Sequence, residues 1–457
     1  MSTNHLIEGI QINKSGRDTP FILTSLPIFE KMLEKAISNL NSEPLKKTAI
    51  VYVHHPLKTS INLIDAVIRL GANPDNIFVL GKKYSECPSV VEQIIDMGVH
   101  YQPCSLQVGL AKYAFSFTRD VNLLWSSVLN NIKSDVEEIL ILDHGGHAIS
   151  YFPPELFSRY KVVGIEKTTA GLISHNKHGF PVFPLIGVAN SAAKRFLESP
   201  LIADAVVNKI VDFIPIDRDG VTCGVVGFGA VGRSLTIKLR VMGFNVIVHD
   251  KNINYLEETK DLDVITTQDL SALVANSDYI FGCSGQDITS SLIEHFRLAT
   301  KNKTLISCSS EDKEFLSLLQ VLSNQYDCNS VLNPLDHLEY KTEFGATISI
   351  VRGGFPVNFD GTGESVPAND IQLTRSLVLA GILQAIEFFK MPSVVTRGGL
   401  YALNPTAQRC LVNEWIKCQP INRFCSELID DFNNEEWILT NSNGLHKPLS
   451  GAIIDWF

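Results

Sequence analysis

The stretch CGVVGFGAVG, residues 223–232, decides the fold of the central part of this chain. Its apolar start leads into a turn of the form Gly-x-Gly-x-x-Gly, a helix-like stretch follows at 233–242, and a second apolar run ends at Asp250. A strand, a glycine turn, a helix and a second strand that ends in an acid form the signature of a Rossmann βαβ unit, which binds a dinucleotide. The alternative is a tight strand-to-helix turn in which the glycines serve the backbone alone.

The residues of this turn have separate roles in such a unit. Gly227 permits the tight turn, Gly229 lets the backbone approach the pyrophosphate, and Gly232 lets the helix pack on the strand. Ala230 and Val231 lie at the start of the helix, whose free N–H groups and partial positive charge attract phosphates. We therefore predict that these five residues bind the cofactor.

The acid at the end of the second run selects between two cofactors. Asp250 lies eighteen residues after Gly232. At this spacing a carboxylate accepts hydrogen bonds from the ribose hydroxyls and would repel a 2′-phosphate. The predicted cofactor is therefore NAD rather than NADP.

Length and composition exclude several classes of protein. A chain of 457 residues is too long for a single core, so we expect two or three domains. The net charge of −10, without a long basic cluster, argues against a nucleic-acid partner. The first residues, MSTNH, have neither the basic nor the apolar part of a secretion signal. Nine cysteines without a Cys-x-x-Cys pair indicate reduced thiols, and we expect a cytoplasmic protein.

Apolar runs alternate with helical patterns on both sides of the glycine turn, which predicts parallel sheets with both faces covered. Strands are predicted at 48–53, 76–80, 139–142, 162–165, 279–283, 304–307 and 347–351, and helices at 60–70, 90–97, 373–389 and 407–417. The run at 376–389 is interrupted by Gln384 and Glu387, so it predicts a buried core helix and no membrane partner.

The predicted fold is α/β, with two doubly wound, Rossmann-like parallel-sheet domains joined by a hinge. We predict a first segment of a substrate domain at 1–195 and an NAD-binding domain at 196–355. The chain then returns to the substrate domain and ends in a tail, at 356–457.

Polar residues that directly follow strands are the candidates for a site, because ligands of open α/β sheets bind beyond the carboxyl ends of the strands. Three such groups are HH at 54–55, DHGGH at 143–147 and EKTT at 166–169. A fourth group is the predicted helix that carries Lys194 and Glu198, which are four residues apart and so share a helix face.

These groups resemble motifs of the S-adenosyl-L-homocysteine hydrolase family, in the same order over most of the chain. The family's LDDGGD, EETTTG and NDSxxKxxxDN runs correspond to LDHGGH at 142–147, EKTTAG at 166–171 and ANSAAKRFLES at 189–199. Its LVN run corresponds to PVN at 356–358, and alignment on LGA at 70–72 places the family's catalytic histidine on His55.

The resemblance implies a bound NAD that oxidises a ribose hydroxyl to a ketone, so that homocysteine can be eliminated. It implies further cofactor contacts at Thr168, Thr169 and Asn358, and catalytic roles for His55 and Lys194. It also implies a homo-oligomer, a dimer or a tetramer. The family's C-terminal lysine and tyrosine, which reach a neighbouring subunit's NAD, have no clear match at 453–457.

Several of the family's catalytic positions are changed here. A catalytic aspartate becomes His144, the glutamate that holds the ribose becomes Lys167, and a second ribose-binding acid is lengthened to Glu198. A histidine of the family aligns with Glu311, and the histidine of its Gly-His-Pro turn is lost at 363–365. An ammonium accepts no hydrogen bonds, so Lys167 cannot hold a diol as a glutamate does.

The changed residues instead predict a cationic pocket, which suits a substrate with a carboxylate or a phosphate. This pocket would be formed by Lys167, Lys194, His144 and His147. We expect Lys194 to accept the proton of the substrate hydroxyl and His55 to move a second proton. The predicted site residues are, for catalysis, His55, Lys194, His144 and Glu198, and for substrate binding, Lys167, His147 and Glu311.

Each of these residues also has a structural alternative. Lys194 and Glu198 could form a surface ion pair, and His55 could be a packed histidine after a strand. His144 and His147, with His54, are also plausible metal ligands, although the glycines at 145–146 equally explain a loop that approaches NAD. No metal is assigned.

Three functions are compatible with this pattern. The first is an NAD-dependent oxidoreductase, or a lyase that works by transient oxidation, on a different small molecule that is anionic or resembles a nucleoside or sugar. The second is a genuine adenosylhomocysteine hydrolase with a rebuilt site. The third is a non-catalytic NAD-binding regulator, which would keep the cofactor site above a degenerate substrate site.

Overall fold

The computed structural model describes residues 8–9, 21–40, 43–106, 110–214, 218–325, 333–420, 423–442 and 444–445. The chain divides into two compact units, and it passes between them more than once. Unit 1 comprises Met1–Cys104, Thr118–Glu198 and Gly361–Phe457, and unit 2 comprises Ser105–Phe117 and Ser199–Asp360.

The strands are short, and most lie in two sheets, one in each unit. In chain order they are β1 (Glu8–Gly9), β2 (Phe21–Ile22), β3 (Thr48–His54), β4 (Ile77–Gly81), β5 (His100–Gln102), β6 (Glu138–Asp143), β7 (Lys161–Glu166), β8 (Pro184–Gly187), β9 (Thr222–Val226), β10 (Asn245–His249), β11 (Ile265–Thr267), β12 (Tyr279–Gly282), β13 (Lys303–Ser307), β14 (Leu338–Lys341), β15 (Thr347–Ile350) and β16 (Gly399–Ala402).

Helices connect these strands and cover the sheets. In chain order they are α1 (Pro27–Leu40), α2 (Lys58–Arg69), α3 (Pro88–Asp96), α4 (Tyr113–Asn131), α5 (His147–Ser150), α6 (Pro154–Phe157), α7 (Thr169–His178), α8 (Ser199–Ile210), α9 (Ala230–Val241), α10 (Ile253–Glu257), α11 (Leu270–Asn276), α12 (Ile293–Arg297), α13 (Leu316–Gln325), α14 (Ala368–Phe389), α15 (Pro392–Val395), α16 (Pro405–Ile416), α17 (Ser426–Asp431) and α18 (Glu435–Thr440).

The sheet of unit 1 has the order β16-β8-β7-β6-β3-β4-β5, and its neighbouring strands are parallel. The chain winds from β3 to β4 and β5 on one side, and from β6 to β7 and β8 on the other. The strand order therefore reverses between β3 and β6, and a ligand of such a sheet binds at the carboxyl ends of these strands. Strand β3 is buried along its whole length, as expected when helices cover both faces.

The sheet of unit 2 has the order β11-β10-β9-β12-β13-β15-β14. Its neighbouring strands are parallel except for the edge pair of β14 and β15, which is antiparallel. Here the strand order reverses between β9 and β12. The prediction of an α/β fold with two doubly wound parallel sheets is confirmed.

Helix α14 is the central helix of unit 1, and it packs against β7, α1, α2 and α16. It is long and apolar enough to span a membrane by length and composition, but 94% of its most apolar stretch is buried inside the protein. Within this apolar helix the charged side chain of Arg375 is only partly buried, and it faces the site described below.

Candidate functional site

The glycine turn of unit 2 has the conformation that a pyrophosphate site requires. Gly227 has a φ of +97°, and a Cβ there would lie 2.9 Å from the backbone of Cys283 after β12. A Cβ on Gly232 would lie only 1.9 Å from Gly227 O, so this glycine permits the close approach of helix and turn. A Cβ on Gly229, by contrast, would meet no protein atom within 4 Å.

The space over Gly229 therefore fits a ligand. Helix α9 begins at Ala230, both residues are exposed, and Gly229 gives the helix no side-chain cap. The N–H groups of the first turn of a helix have no partner within the helix, so they are available to an anion. The residues present fit the pyrophosphate of a dinucleotide, including Val231, which is half-buried in the same turn.

Asp250 is fixed beside this turn by two backbone groups. Its Oδ2 accepts a hydrogen bond from Phe228 N at 2.7 Å, and its Oδ1 accepts one from Asn252 N at 2.8 Å. Each carboxylate oxygen has a second lone pair, so the acid can still accept hydrogen bonds from ribose hydroxyls.

The three remaining predicted cofactor residues lie in two different units. Asn358 is buried in unit 2, and the preceding residue, Val357, donates to the last residue of β13 at 3.2 Å. Thr168 and Thr169 belong to unit 1. The Thr168 hydroxyl caps helix α7, because it accepts from Gly171 N at 3.0 Å and donates to Glu166 Oε1 at 2.7 Å.

In unit 1, five side chains that follow neighbouring strands gather at the point where the strand order reverses. We call them the His–Lys cluster: His54, His55, Lys82, His144 and Lys167. The rings of His55 and His144 are in edge contact, with 4.4 Å between their centroids. Lys82 is fully buried, and Lys167 is 7% exposed.

Two serines fix the tautomers of His54 and His55. Ser85 Oγ donates its proton to Lys82 O at 2.8 Å, so in its 2.6 Å contact with His55 Nδ1 the imidazole is the donor. Ser60 Oγ likewise donates to Leu57 O at 2.6 Å and accepts from His54 Nδ1 at 3.1 Å. In both rings Nε2 is therefore the nitrogen that carries a lone pair, as a general base requires.

The pKa values of the three histidines are well below the ordinary value. Burial is the largest cause for each ring. Lys82 lowers the values further at His55 and His144, and Lys167 does so at all three rings when its amine is protonated. The three imidazoles are therefore neutral at neutral pH, and each keeps one ring nitrogen with a lone pair.

Two buried acids hold the loops that carry the cluster. Asp143 accepts hydrogen bonds from the backbone N–H groups of His144 and Ile149, at 2.7 and 2.9 Å. Glu166 Oε1 accepts from the backbone N–H groups of Gly145 and Thr168, at 3.1 and 2.7 Å. Burial and the neighbouring Glu166 raise the pKa of Asp143 to about 6. These acids position loops, and neither forms an ion pair with Lys167 in the part of the chain that the structure describes.

Arg375 of α14 adds a further positive charge beside the cluster. Its Nε donates to Thr59 Oγ1 at 3.0 Å, and its Nη2 lies 3.9 Å from Glu364 Oε1. Its charge lowers the pKa values of Lys167 and His54, although for both groups burial is the larger cause.

Lys194 and Glu198 form an ion pair, as their spacing allows, but the segment Lys194–Glu198 is a π-helical turn rather than an α-helix. The ammonium is thus held by a carboxylate, and its charge still lowers the pKa of His144. Arg195 is exposed and donates to Asn441 O at 2.7 Å.

Of the other two predicted substrate residues, His147 lies beside the His–Lys cluster and Glu311 lies in the other unit. His147 begins helix α5, and both its ring and Lys82 Nζ lie about 3 Å from where a Cβ on Gly145 would be. Glu311 belongs to unit 2, where it is buried, has a φ of +67° and pairs with Lys313. Among the described residues, no group of three or more His, Cys, Asp or Glu side chains is arranged to hold a metal.

Four residues that shape this site were not among the predicted ones: Lys82, Arg375, Ser60 and Ser85. Lys82 directly follows β4, so the rule applied to the other strands would have found it. Arg375 is a charged residue inside an otherwise apolar run, which is also a detectable signal. The serines lie in loops and helix starts, and only the structure reveals their pairing with the histidines.

Comparison with known proteins agrees with the assignment of the cofactor. Residues 206–309 match the family model of the NAD-binding domain of D-isomer-specific 2-hydroxyacid dehydrogenases. The matched range lies within unit 2 and includes the glycine turn and Asp250. Unit 2 is therefore an NAD-binding domain of the dehydrogenase type, and the prediction of NAD as cofactor is confirmed.

Three proteins that match more of the chain than this range are 10–27% identical to it. An uncharacterized protein of Mycobacterium tuberculosis strain H37Rv is 27% identical over 369 residues, which cover 79% of this chain and 68% of the relative. The adenosylhomocysteinase of Thermoplasma acidophilum is 24% identical over 257 residues, which cover 54% of this chain and 61% of the enzyme. A solved structure, the A chain of dipicolinate synthase from Bacillus subtilis, is 10% identical with a TM-score of 0.39, and the match covers 74% of this chain and 97% of that chain.

Proposed function

We propose that the protein is an NAD-dependent oxidoreductase that oxidises a hydroxyl group of a small anionic molecule. The observation that carries this proposal is the His–Lys cluster of unit 1, in a chain whose other unit binds NAD. The cluster combines three neutral histidines, of which His54 and His55 carry the lone pair on Nε2, with the positive charges of Lys82 and nearby Arg375.

Unit 2 supplies the cofactor, and NAD, when bound, accepts a hydride from a carbon that carries a hydroxyl. The residues of unit 1 supply what this chemistry needs from the protein. His55 Nε2 accepts the proton of the hydroxyl, because its Nδ1–H is committed to Ser85. His144, in edge contact with His55, confines the imidazole from the other side.

Arg375 and Lys194 recognise the anionic group of the substrate. A guanidinium presents several N–H donors in a fixed geometry that matches a carboxylate or a phosphate. Lys194, which the sequence suggested as the base, is ion-paired with Glu198 and is assigned here to binding. Burial strengthens these interactions, since few water molecules compete for the charges.

A second candidate is adenosylhomocysteine hydrolysis, which the match to the Thermoplasma enzyme and the presence of His55 and Lys194 favour. Against it, Lys167 replaces the acid that holds the ribose, and its Nζ already donates to Val53 O at 3.1 Å. A lysine in this place offers no acceptor for a diol.

Parallel assays test the two functions. Adenosine release from adenosylhomocysteine and reduction of NAD by hydroxy acids and sugar acids are measured on the same preparation. The proposal expects NAD reduction with an anionic hydroxyl compound, and Arg375→Gln should raise the KM for it about 10-fold or more without a similar loss of kcat. Efficient adenosine release would replace the proposal with the hydrolase.

A further inference from the structure

Lys167 has an environment unlike that of an ordinary binding lysine. It follows β7, its side chain is 7% exposed, and its Nζ lies 4.3 Å from the centre of the Tyr52 ring. Its hydrogen-bond partner is Val53 O, at 3.1 Å. Within the described residues, no carboxylate lies within ion-pair distance of this nitrogen.

A charged ammonium is costly in such a place. Removal from water disfavours the charged form, and nearby cations disfavour it further. The face of the Tyr52 ring and the charges of Glu166 and Asp143 favour the ammonium, but burial first and the charge of Arg375 second outweigh them and bring the pKa of Lys167 well below its ordinary value. A neutral amine keeps two hydrogens and one lone pair, so it can donate to Val53 O and still attack an electrophile.

Two other buried or half-buried lysines have polar partners that Lys167 lacks. Lys303 of unit 2 donates to two backbone carbonyls, Ala275 O at 3.2 Å and Ser277 O at 2.9 Å. Lys194 is held by the carboxylate of Glu198. A lysine that is desolvated and lies beside another cation has the environment of lysines that form imines with carbonyl compounds.

A base for the proton transfers lies next to it. His54 stacks on Tyr52, with 4.3 Å between the ring centroids, and Lys167 lies over the same tyrosine. The Nδ1–H of His54 is committed to Ser60, so its lone pair is on Nε2. Among the described residues this Nε2 has no hydrogen-bond partner.

We propose that Lys167 is a catalytic nucleophile that condenses with a ketone or aldehyde group of the substrate to form an imine. The nitrogen bonds to the carbonyl carbon, the C–O π bond breaks, and the oxygen leaves as water after two protons move from nitrogen to oxygen. One amine and one carbonyl thus give one imine and one water, with no change in oxidation state. His54 Nε2 relays these protons.

The imine extends the chemistry of the site beyond oxidation. A protonated imine withdraws electrons from the adjacent carbon more strongly than a ketone does, so a proton or a leaving group on that carbon is lost more easily. The ketone that reacts with Lys167 would come from the oxidation of a hydroxyl, so this part of the inference rests on the proposed function. Imine formation with an added carbonyl compound does not depend on it.

Reductive trapping tests the proposal on the full-length protein without NAD. Pyruvate or glyceraldehyde is added with cyanoborohydride, which reduces an imine to a stable secondary amine, and the modified lysines are mapped by peptide mass spectrometry. Lys167 should be modified at about pH 7 at least about 10-fold more than Lys83, an exposed lysine that forms an ion pair with Glu86. Modification of Lys167 no greater than that of Lys83 with both probes would overturn the proposal.

Two variants complete the test. Lys167→Arg keeps a donor for Val53 O but cannot form an imine, so trapping at this peptide should vanish, whereas Lys83→Arg should leave it unchanged. Far-UV circular dichroism and thermal unfolding of the full-length protein serve as the folding control for both. Trapping at Lys167 without NAD reduction by any hydroxyl compound would support the nucleophile and reject the proposed function, and the reverse result would reject the nucleophile alone.

Discussion

The Nδ1 atom of His55 lies 2.6 Å from the Oγ atom of Ser85, and this contact determines which ring nitrogen can act as a base. Ser85 gives its own proton to Lys82 O, so the imidazole must donate from Nδ1 and keep its lone pair on Nε2. In the proposed function, Ser85 positions the ring of His55 rather than contacting the substrate.

Removal of the Ser85 hydroxyl should therefore lower kcat more than it changes KM. We expect Ser85→Ala to reduce kcat about 10- to 100-fold, because the ring loses its preferred tautomer and orientation. The exposed Ser89→Ala is the matched control. In a His55→Ala background, Ser85→Ala should cause little further loss, and two independent, additive losses would contradict the positioning role.

Two glycines of the cofactor turn should respond differently to the same substitution. A Cβ on Gly229 meets no protein atom, so Gly229→Ala should leave the thermal stability nearly unchanged and weaken NAD binding about 10-fold or more. Gly232→Ala places a Cβ 1.9 Å from Gly227 O, so it should destabilise unit 2 itself. Thermal unfolding and calorimetry with NAD separate the two effects. Unchanged NAD affinity in Gly229→Ala would contradict the cofactor assignment at this turn.

Asp250 should set the preference between NAD and NADP. Asp250→Asn removes the negative charge but keeps an oxygen for one of the backbone N–H groups at Phe228 and Asn252. We expect NAD binding to weaken about 10-fold, and NADP binding to weaken less or to improve, because the repulsion of a 2′-phosphate is removed. Asp269→Asn, at the cap of α11, is the control. A wild-type protein that binds NADP more tightly than NAD would refute this prediction.

Glu314 predicts a pH dependence of stability in unit 2. Burial raises the pKa of this carboxyl from 4.5 to about 7, although Ser284 and Gly285 N donate to it. Because the folded state binds the proton more tightly than the unfolded state, this stabilisation is complete below about pH 4.5 and is lost as the pH rises to about 7.

The Glu314→Gln variant lacks this proton equilibrium and provides the comparison. The stability of the wild type relative to the variant should fall by up to about 3 kcal/mol between these pH values and then stay constant. Denaturant unfolding followed by circular dichroism from about pH 4.5 to about pH 8 measures the difference. Glu294→Gln, an exposed acid paired with Arg297, should show no comparable trend. A difference in the free energy of unfolding between the wild type and Glu314→Gln that stays constant with pH would show that Glu314 is charged throughout this pH range.

The sequence was most informative where one local rule controls the structure. The glycine turn and Asp250 predicted the Rossmann unit because each residue meets a separate steric or electrostatic demand. Strand β3 was predicted at 48–53 and observed at Thr48–His54, since a strand buried on both faces is a continuous apolar run. The helix Tyr113–Asn131 was not predicted, and its pattern of mixed polar and apolar residues is weak.

The site was less predictable, because its properties arise from contacts between distant parts of the chain. The sequence placed His55 and His144 after neighbouring strands, but it could not show that Ser85 and Ser60 fix the histidine tautomers. No pattern in the sequence predicted the π-helical turn at Lys194–Glu198. Lys167 was interpreted as a cationic anchor, and only its burial without an ion pair indicates a nucleophilic amine.

The most direct measurement of the central claim is the appearance of reduced nicotinamide in the presence of NAD and a panel of hydroxy acids, sugar acids and adenosylhomocysteine. We expect the wild-type protein to reduce NAD with at least one anionic hydroxyl compound, and Gly229→Ala, folded but impaired in NAD binding, to do so far more slowly at the same NAD concentration. Tight NAD binding without reduction by any member of the panel would refute the proposed oxidoreductase and indicate a non-catalytic NAD-binding protein. Equal reduction by the wild type and the variant would show that the activity does not come from this site.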